Sequence, residues 1–250
     1  MVVFPNAKIN LGLNITSKRE DGYHTIESCF YPVELSDILE IIPSKKLAFS
    51  YSGITIPGDA KSNLCLKAYH LLKADFDIDP VQIHLHKIIP IGAGLGGGSS
   101  DASFTLKVLN EIFELAISDD KLEQYASKLG SDCPFFVRNK PVLAAGTGTE
   151  FSDISIDLTD YEIKLEYPDI HIGTAEAYAG VTPKTPNQRI EDIIKKPIKD
   201  WKNQLHNDFE DSIFPNHPAI KALKDSFYLQ GAIYSSMTGS GSAVYGIFSK

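Results

Sequence analysis

The sequence of 250 residues has few cysteines, and none of them is arranged as a pair. Cys29, Cys65 and Cys133 are the whole set, and no Cys-x-x-Cys spacing occurs. An odd, scattered set argues against a disulfide framework and against a zinc site, and the histidines show no pairing that indicates a metal. We therefore expect reduced thiols, a cytoplasmic location and no metal held by protein side chains alone.

The chain also lacks long apolar runs. No stretch of about 20 apolar residues is present, which is the length that a membrane-spanning helix needs. The first residues, MVVFPNAKINLGL, have neither the basic start nor the small-residue cleavage site of a signal peptide. We expect no membrane partner.

Positive charge is in short supply as well. There are 24 basic and 32 acidic residues, which gives a formal net charge of -8. Such a balance excludes the basic surface typical of nucleic-acid binding, and nothing in the sequence indicates an obligate protein partner. An anionic ligand would have to be held by backbone N–H groups and a few local cations.

What is present is the composition of an ordinary globular protein, with 43% hydrophobic and 22% charged residues. Period-two alternation predicts strands and period-3.6 stripes predict helices. The predicted strands are Ala7–Thr16, Ile26–Leu35, Ile38–Ile42, Leu47–Tyr51, Val81–His86, Val142–Ala145, Glu162–Tyr167, Ala232–Met237 and Ala243–Phe248. The predicted helices are Ser62–Ala74, Asp101–Phe113, Asp119–Leu129 (ended by Gly130), Thr174–Ala179, Arg189–Lys196 and Pro218–Tyr228. The fold class is therefore α+β, and the polar stretch Arg189–Asn207 is the best candidate for a mobile connection.

The most informative segment is IPIGAGLGGGSSDA, which runs from Ile89 to Ala102 and is followed by a helix. Glycines let a ligand approach the backbone, and the helix start offers unpaired N–H groups and a partial positive charge. Together these features predict a phosphate site, with Ser99 and Ser100 as hydroxyl donors or magnesium ligands. The segment is neither a P-loop, since no lysine follows the last glycine, nor a convincing dinucleotide fingerprint.

Three motifs, in order, resemble those of the galactokinase, homoserine kinase, mevalonate kinase and phosphomevalonate kinase (GHMP) superfamily. They are PNAKINLGLNI (Pro5–Ile15), PIGAGLGGGSSDA (Pro90–Ala102) and MTGSGSAVYGIF (Met237–Phe248). Other segments resemble the 4-diphosphocytidyl-2-C-methyl-D-erythritol kinase family, namely Lys18–Asp37, LGSDCPFF (Leu129–Phe136) and HNDFE (His206–Glu210).

The resemblance implies a two-lobed GHMP-kinase fold, with a ribosomal protein S5 domain 2-like N-terminal lobe over residues 1–150 and a ferredoxin-like C-terminal lobe over 151–250. It implies ATP and Mg²⁺ as cosubstrates. It also implies phosphorylation of the 2-hydroxyl of a small molecule, 4-diphosphocytidyl-2-C-methyl-D-erythritol, in a cleft between the lobes, within the non-mevalonate route to isoprenoid precursors.

Site residues follow from the same motifs. The expected ATP-binding residues are Pro90, Ile91, Gly92, Ala93, Gly94, Leu95, Gly96, Gly97, Gly98, Ser99 and Ser100, together with Asn63 and Lys87. Asp132 matches the family's catalytic base, and Lys8, on the polar face of its strand, matches its cationic partner. The expected substrate-binding residues are Asn10, Tyr23, His24, Thr174 and Tyr178, with Tyr23 and Tyr178 on either face of the cytosine and His24 at its edge. Asp208 is a further candidate.

Two alternatives remain at this stage. Another kinase of the superfamily, of the homoserine or mevalonate type, would share the glycine-rich segment but not DGYHTIES. A non-catalytic nucleotide-binding protein would keep the fold, although the presence of both Lys8 and Asp132 disfavours it. Two departures from the family pattern are the end of the chain at Lys250, which is either naturally short or truncated, and Ala93 in place of a glycine, which we expect to be tolerated if its φ is negative.

Overall fold

The computed structural model describes residues 1–59 and 62–250, and the chain divides into two compact units. The first unit comprises Met1–Ala7, Glu34–Ile91 and Gly96–Lys140. The second unit comprises Lys8–Val33, Gly92–Leu95 and Pro141–Lys250. Each unit is thus built from separate stretches of chain, and the single boundary after residue 150 stays a prediction.

Strands and helices follow one another in runs along the chain, and the first five strands precede the first helix. The strands are β1 (Val2–Val3), β2 (Asn6–Lys18), β3 (His24–Ser36), β4 (Ile38–Pro43), β5 (Ala48–Gly53), β6 (Val81–Lys87), β7 (Val142–Ala145), β8 (Glu150–Asp153), β9 (Tyr161–Glu166), β10 (Tyr234–Met237) and β11 (Val244–Ser249). The helices are α1 (Leu64–Asp75), α2 (Gly97–Ile112), α3 (Asp119–Ser127), α4 (Phe135–Arg138), α5 (Thr174–Ala179), α6 (Ile190–Ile194), α7 (Phe209–Ile213), α8 (Pro218–Leu229) and a 3₁₀ helix (Ile198–Asn203).

The first unit packs helices on one face of a four-stranded sheet of order β1-β4-β6-β5. Within it β4 and β6 are antiparallel, whereas β5 and β6 are parallel. Alternate residues of the strands point inward, and Ile41 lies opposite Ile83. These side chains join Leu72 of α1 and Leu106 of α2 in one buried cluster, which holds the helix that follows the glycines against the sheet.

The second unit contains two sheets, of order β2-β3-β7-β8 and β10-β11-β9. Its core joins residues of β2 to the later helices, and includes Leu13, Ile15, Phe209, Phe227 and Met237. Strand β2 is buried on both faces, because Lys8 and Asn10 are as inaccessible as their apolar neighbours. A buried polar side chain needs hydrogen-bond partners, so this face of β2 already differs from an ordinary solvent-facing strand.

The strands and helices that the sequence predicts are all present, but three details differ. Helix α2 begins at Gly97 rather than Asp101, and α3 ends at Ser127 rather than running on to Leu129 before Gly130. The stretch 189–207 is not a mobile connection in this structure. It forms α6 and the 3₁₀ helix, and it buries the side chains of Ile190, Ile193, Ile194, Ile198 and Trp201.

The three cysteines are free thiols and all are buried, as expected for a protein without a disulfide framework. Burial raises the pKa of Cys29 and of Cys65 to about 12, so both remain protonated and unreactive at neutral pH. Across residues 1–59 and 62–250, no helix combines the length and apolar character that crossing a membrane requires.

Candidate active site

The glycine-rich segment Pro90–Ser100, here called the glycine loop, has a backbone that only glycine adopts readily. Gly92, Gly94 and Gly96 have φ of 71°, 79° and 71°, in the left-handed region. Gly96 is the N-cap of α2, so the helix starts inside the loop. The sequence placed this start four residues later because glycine and serine are poor helix formers.

The early helix start puts unpaired N–H groups where the sequence expected them to bind phosphate. The first N–H groups of an α-helix have no partner within the helix, and the intrahelical bonds begin here with the Ser100 N–H to the Gly96 carbonyl, at 2.9 Å. Ser100 is fully buried, and its Oγ has no hydrogen-bond partner. Unpaired N–H groups and an orphaned hydroxyl suit a ligand rich in acceptor oxygens, so these residues fit a phosphate group.

Asp132 lies, half-buried, in the turn that precedes α4, in the same unit as α2. The hydroxyl of Ser103 on α2 donates to the Cys133 carbonyl at 2.6 Å, and the Cys133 N–H donates to the Gly130 carbonyl at 3.2 Å. Burial raises the pKa of the Cys133 thiol to about 11, so this thiol stays protonated at neutral pH. The turn is therefore tied to the beginning of the helix that follows the glycine loop.

Asn63 and Lys87, the two further ATP-binding candidates, both make contacts within the first unit. Asn63 caps α1, and its Oδ1 accepts the N–H of Cys65 at 2.8 Å. Lys87 is buried and its ammonium group donates to Asp37 and to Asp101, the latter at 2.8 Å. Contacts of either residue with nucleotide stay predictions.

Lys8 and Asn10 sit in a buried polar network of the second unit. The Lys8 ammonium donates to Asn10 Oδ1 at 2.7 Å and lies 4.7 Å from the centre of the Phe30 ring. Asn10 Nδ2 donates to Ser28 Oγ at 2.9 Å, and the Asn10 N–H donates to Thr238 Oγ1 at 3.0 Å. These contacts fix the direction of the Lys8 side chain, which preorganisation of a charged group requires.

Residues 92–95 of the glycine loop pack directly against the second glycine-rich motif, the glycine turn Thr238–Ser242. The Ala243 N–H donates to the Ala93 carbonyl at 3.1 Å, and the Thr238 hydroxyl donates to the Gly94 carbonyl at 3.3 Å. A methyl group on Gly94 would collide with the Thr238 carbonyl. Ala93 itself does not have a positive φ, which is the condition under which we expect an alanine to be tolerated there.

The Asn-Asp-Φ-Glu element (residues 207–210, where Φ is a hydrophobic residue) holds the glycine turn in place. Asn207 Nδ2 donates to the carbonyls of Met237 and Gly239, at 2.8 and 2.9 Å. The buried carboxylate of Glu210 accepts the Met237 N–H at 2.9 Å and the ammonium group of Lys224 at 2.5 Å. Sequence reasoning matched this motif to the family without assigning its role, and these contacts make it a structural support of the turn.

The predicted substrate-binding residues Tyr23, His24 and Tyr178 lie in the second unit, and two of them are in contact. The rings of His24 and Tyr178 stack with centroids 4.6 Å apart and planes 18° apart, and Phe209 packs edge-on against Tyr178. Tyr23 is 67% exposed, and Thr174, the first residue of α5, is exposed as well. The structure thus pairs His24, rather than Tyr23, with Tyr178.

One group of potential metal ligands occurs among the described residues. His206, Asp208 and Asp211 offer ligand atoms within 4.8 Å of one another. The ammonium group of Lys184 lies 3.2 Å from Asp208 and 3.5 Å from Asp211, and it supplies the positive charge that these carboxylates need. Asp208 also accepts the Ile15 N–H at 2.7 Å, so we assign this group a structural role.

Comparison with known proteins identifies the family. The model of the GHMP kinases N terminal domain matches residues 63–140, and that of the GHMP kinases C terminal domain matches residues 190–250. A 4-diphosphocytidyl-2-C-methyl-D-erythritol kinase from Cytophaga hutchinsonii is 55% identical over 99% of this chain and 92% of its own length. One from Bacteroides thetaiotaomicron is 54% identical, again over 99% and 92% of the two chains.

Solved structures of kinases share the fold of this chain. A crystal structure of 4-(cytidine 5'-diphospho)-2C-methyl-D-erythritol kinase superposes with a TM-score of 0.86 and 31% identity, over 99% of this chain and 90% of that one. The Methanococcus jannaschii mevalonate kinase superposes with a TM-score of 0.72 over the same shares of the two chains, but at 15% identity it shows the fold alone. The chain therefore belongs to the 4-diphosphocytidyl-2-C-methyl-D-erythritol kinase family of the GHMP kinases.

Proposed function

We propose that this protein transfers the γ-phosphoryl group of ATP to the 2-hydroxyl of 4-diphosphocytidyl-2-C-methyl-D-erythritol, giving the 2-phosphate and ADP. The observation that carries the proposal is full-length identity of 55% to a relative of that name, together with an intact glycine loop. The reaction belongs to the non-mevalonate pathway of isopentenyl diphosphate synthesis, and we place it in the cytoplasm.

The glycine loop is the proposed seat of the ATP phosphates. The first N–H groups of α2 and the hydroxyls of Ser99 and Ser100 supply donors, and the helix dipole favours negative charge at this end. Ser99 or Ser100 would offer an oxygen ligand to Mg²⁺ bound with the nucleotide, and the ion would supply positive charge beside the phosphates. Asn63 and Lys87 are proposed to contribute from the adjoining elements of the same unit.

Asp132 is the proposed general base. In the transfer the acceptor oxygen forms a bond to the γ-phosphorus, the bond from that phosphorus to the β–γ bridging oxygen breaks, and the hydroxyl proton passes to the Asp132 carboxylate. Lys8 is proposed to counter the charge on the transferring group. Its burial and its bond to Asn10 support this role, because an ammonium group held in one direction needs no reorganisation during the reaction.

The cytidyl end of the substrate is assigned to Tyr23, His24 and Tyr178, and Asn10 and Thr174 are proposed as further substrate contacts. An aromatic ring stacked on a base contributes roughly 1–3 kcal/mol. The stacked His24 and Tyr178 form a ready aromatic surface, and the exposed ring of Tyr23 is free of tight packing. These features support recognition of a nucleobase by stacking.

The test is to incubate the purified protein with ATP and Mg²⁺ and to follow ADP release with three acceptors in parallel. These are 4-diphosphocytidyl-2-C-methyl-D-erythritol, homoserine and mevalonate. We expect release only with the first. Release only with another acceptor would keep the kinase and overturn the substrate, and the absence of release with all three would overturn the proposed reaction.

A further inference from the structure

Three buried charged residues surround the base of the glycine loop, and the phosphoryl-transfer steps above do not use their charges. They are Lys87, at the end of β6, Asp37, between β3 and β4, and Asp101, near the start of α2. Their exposures are 3%, 0% and 3%. We call this group the buried triad. Ion pairs this deeply buried are costly to build.

The buried triad joins the two ends of the glycine loop. The Lys87 ammonium donates to Asp37 Oδ2 and, at 2.8 Å, to Asp101 Oδ2. Asp37 Oδ1 accepts the N–H groups of Ile88 and Ile89, at 2.5 and 2.8 Å, which are the residues that lead into the loop. The chain is thus fixed before the loop by Asp37 and after the loop by Asp101, with Lys87 bridging both carboxylates.

The bridge also packs against the first residue of α2. A methyl group on Gly97 would lie 2.9 Å from Lys87 Nζ and 2.8 Å from a methyl carbon of Ile89. The absence of a side chain at this position therefore lets the helix start approach the ammonium group closely. A small displacement of Lys87 would be transmitted directly to the N–H groups at that start.

We propose that Lys87 is a positioning residue that fastens the entry of the glycine loop to the first turns of α2 through Asp37 and Asp101, and so sets the placement of the N–H groups that bind nucleotide phosphates. This inference rests on the proposed function. It assigns the ammonium group of Lys87 a role exerted through the loop, and it gives Asp37 and Asp101 roles in nucleotide binding.

The two carboxylates of the buried triad differ in the hydrogen bonds that they accept. Asp37 accepts from three donors, whereas Asp101 Oδ1 is buried without a hydrogen-bond partner. Burial raises the pKa of Asp101 to about 7, against the opposing effect of Lys87, and the Asp37 carboxylate raises it further. For Lys87, burial lowers the pKa, but the two carboxylates outweigh burial and the net pKa is raised.

The deciding experiment measures the KM for ATP and kcat of the wild type and of Asp101→Asn at a single pH and at saturating Mg²⁺. Asparagine keeps the shape of the side chain but removes the charge that pairs with Lys87. We expect the KM for ATP of Asp101→Asn to exceed that of the wild type roughly 3- to 10-fold, because a lost bond to a charged group loosens the start of α2, while kcat changes little.

Asp119→Asn is the matched control, since Asp119 is an exposed aspartate in the first turn of α3 in the same unit. It should keep the wild-type KM for ATP. In addition, calorimetry with ADP and Mg²⁺ should show binding to Lys87→Met weakened about tenfold or more, with partial rescue in Lys87→Arg. Thermal melts verify folding, and Asp101→Asn decides the question if Lys87→Met does not fold.

A wild-type KM for ATP in folded Asp101→Asn, together with wild-type ADP affinity in folded Lys87→Met, would overturn the inference and leave the kinase assignment standing. Failure of ADP to bind the wild type at any pH would overturn the inference together with the proposed function.

Discussion

At the residue scale, the chemistry depends on how a few polar side chains are held. Asp132 lies in a turn that Ser103 anchors to α2 through the Cys133 carbonyl. Lys8 is held by Asn10 and by the Phe30 ring. Replacing the Asp132 carboxylate by an amide should leave the Ser103 contact of the turn in place.

Asp132→Asn should lower kcat by about 100-fold or more, because general-base catalysis contributes at least that factor. Affinity for ADP should change little, since the glycine loop and the start of α2 remain intact. Steady-state kinetics and calorimetry measure the two quantities separately. The exposed Asp160→Asn is the control and should match the wild type. If Asp132→Asn keeps most of its turnover, the assignment of the base is wrong.

The sequence predicted the surroundings of some residues and not those of others, for physical reasons. Alternation along β2 separated Lys8 and Asn10 from the apolar residues, but it could not show that this second face is also buried. The buried triad escaped notice because Asp37 and Asp101 are distant in sequence and resemble ordinary surface aspartates until the fold brings Lys87 between them. The stacking of His24, rather than Tyr23, on Tyr178 depends on side-chain packing that sequence does not encode locally.

At the scale of elements, two glycine-rich segments depend on each other. Residues 92–95 of the glycine loop lie against the glycine turn Thr238–Ser242, and Asn207 and Glu210 hold that turn from behind. Two backbones can approach this closely only where side chains are absent. This explains why the glycine loop and the glycine turn are both rich in glycine.

Gly94→Ala tests this contact. Gly94 has a φ of 79° and its added methyl group would meet the Thr238 carbonyl, whereas Gly231 has a φ of 95° and nothing within 4 Å. Gly231→Ala should therefore cost only the backbone strain, roughly 1–2 kcal/mol of unfolding free energy. Gly94→Ala should cost more and should also weaken ADP binding by about tenfold or more, equivalent to 1.4 kcal/mol. Denaturant unfolding and calorimetry measure these effects, and equal losses in both variants would contradict the proposed contact.

Elements were easier to predict than their ends. Strong periodicity identified α1, α2 and α8 and the longer strands, because burial of one face imposes the pattern. The start of α2 was missed because Gly97, Gly98 and two serines have low helix propensity, which tertiary packing overrides. The stretch 189–207 was misread for the opposite reason, since its charged residues concealed Ile190, Ile198 and Trp201, which are buried.

At the scale of the whole molecule, local sequence patterns do not predict which stretches of chain form one unit. Each unit is assembled from separate stretches, and Gly92–Leu95 belongs with the second unit while the residues on either side of it belong with the first. No local periodicity reveals such an exchange, and only the ordered family motifs pointed to the fold. The same motifs, and not the composition, carry the choice of substrate, because a net charge of -8 fits any acidic enzyme.

The central claim is phosphorylation at the 2-hydroxyl, and the most direct test identifies the position of the new phosphate. We would supply ATP, Mg²⁺ and 4-diphosphocytidyl-2-C-methyl-D-erythritol labelled with ¹³C at carbon 2, and record the ³¹P spectrum of the product. Our account predicts a new phosphomonoester signal that is coupled to the labelled carbon. A phosphomonoester without that coupling, or no new signal while ATP is intact, would contradict it.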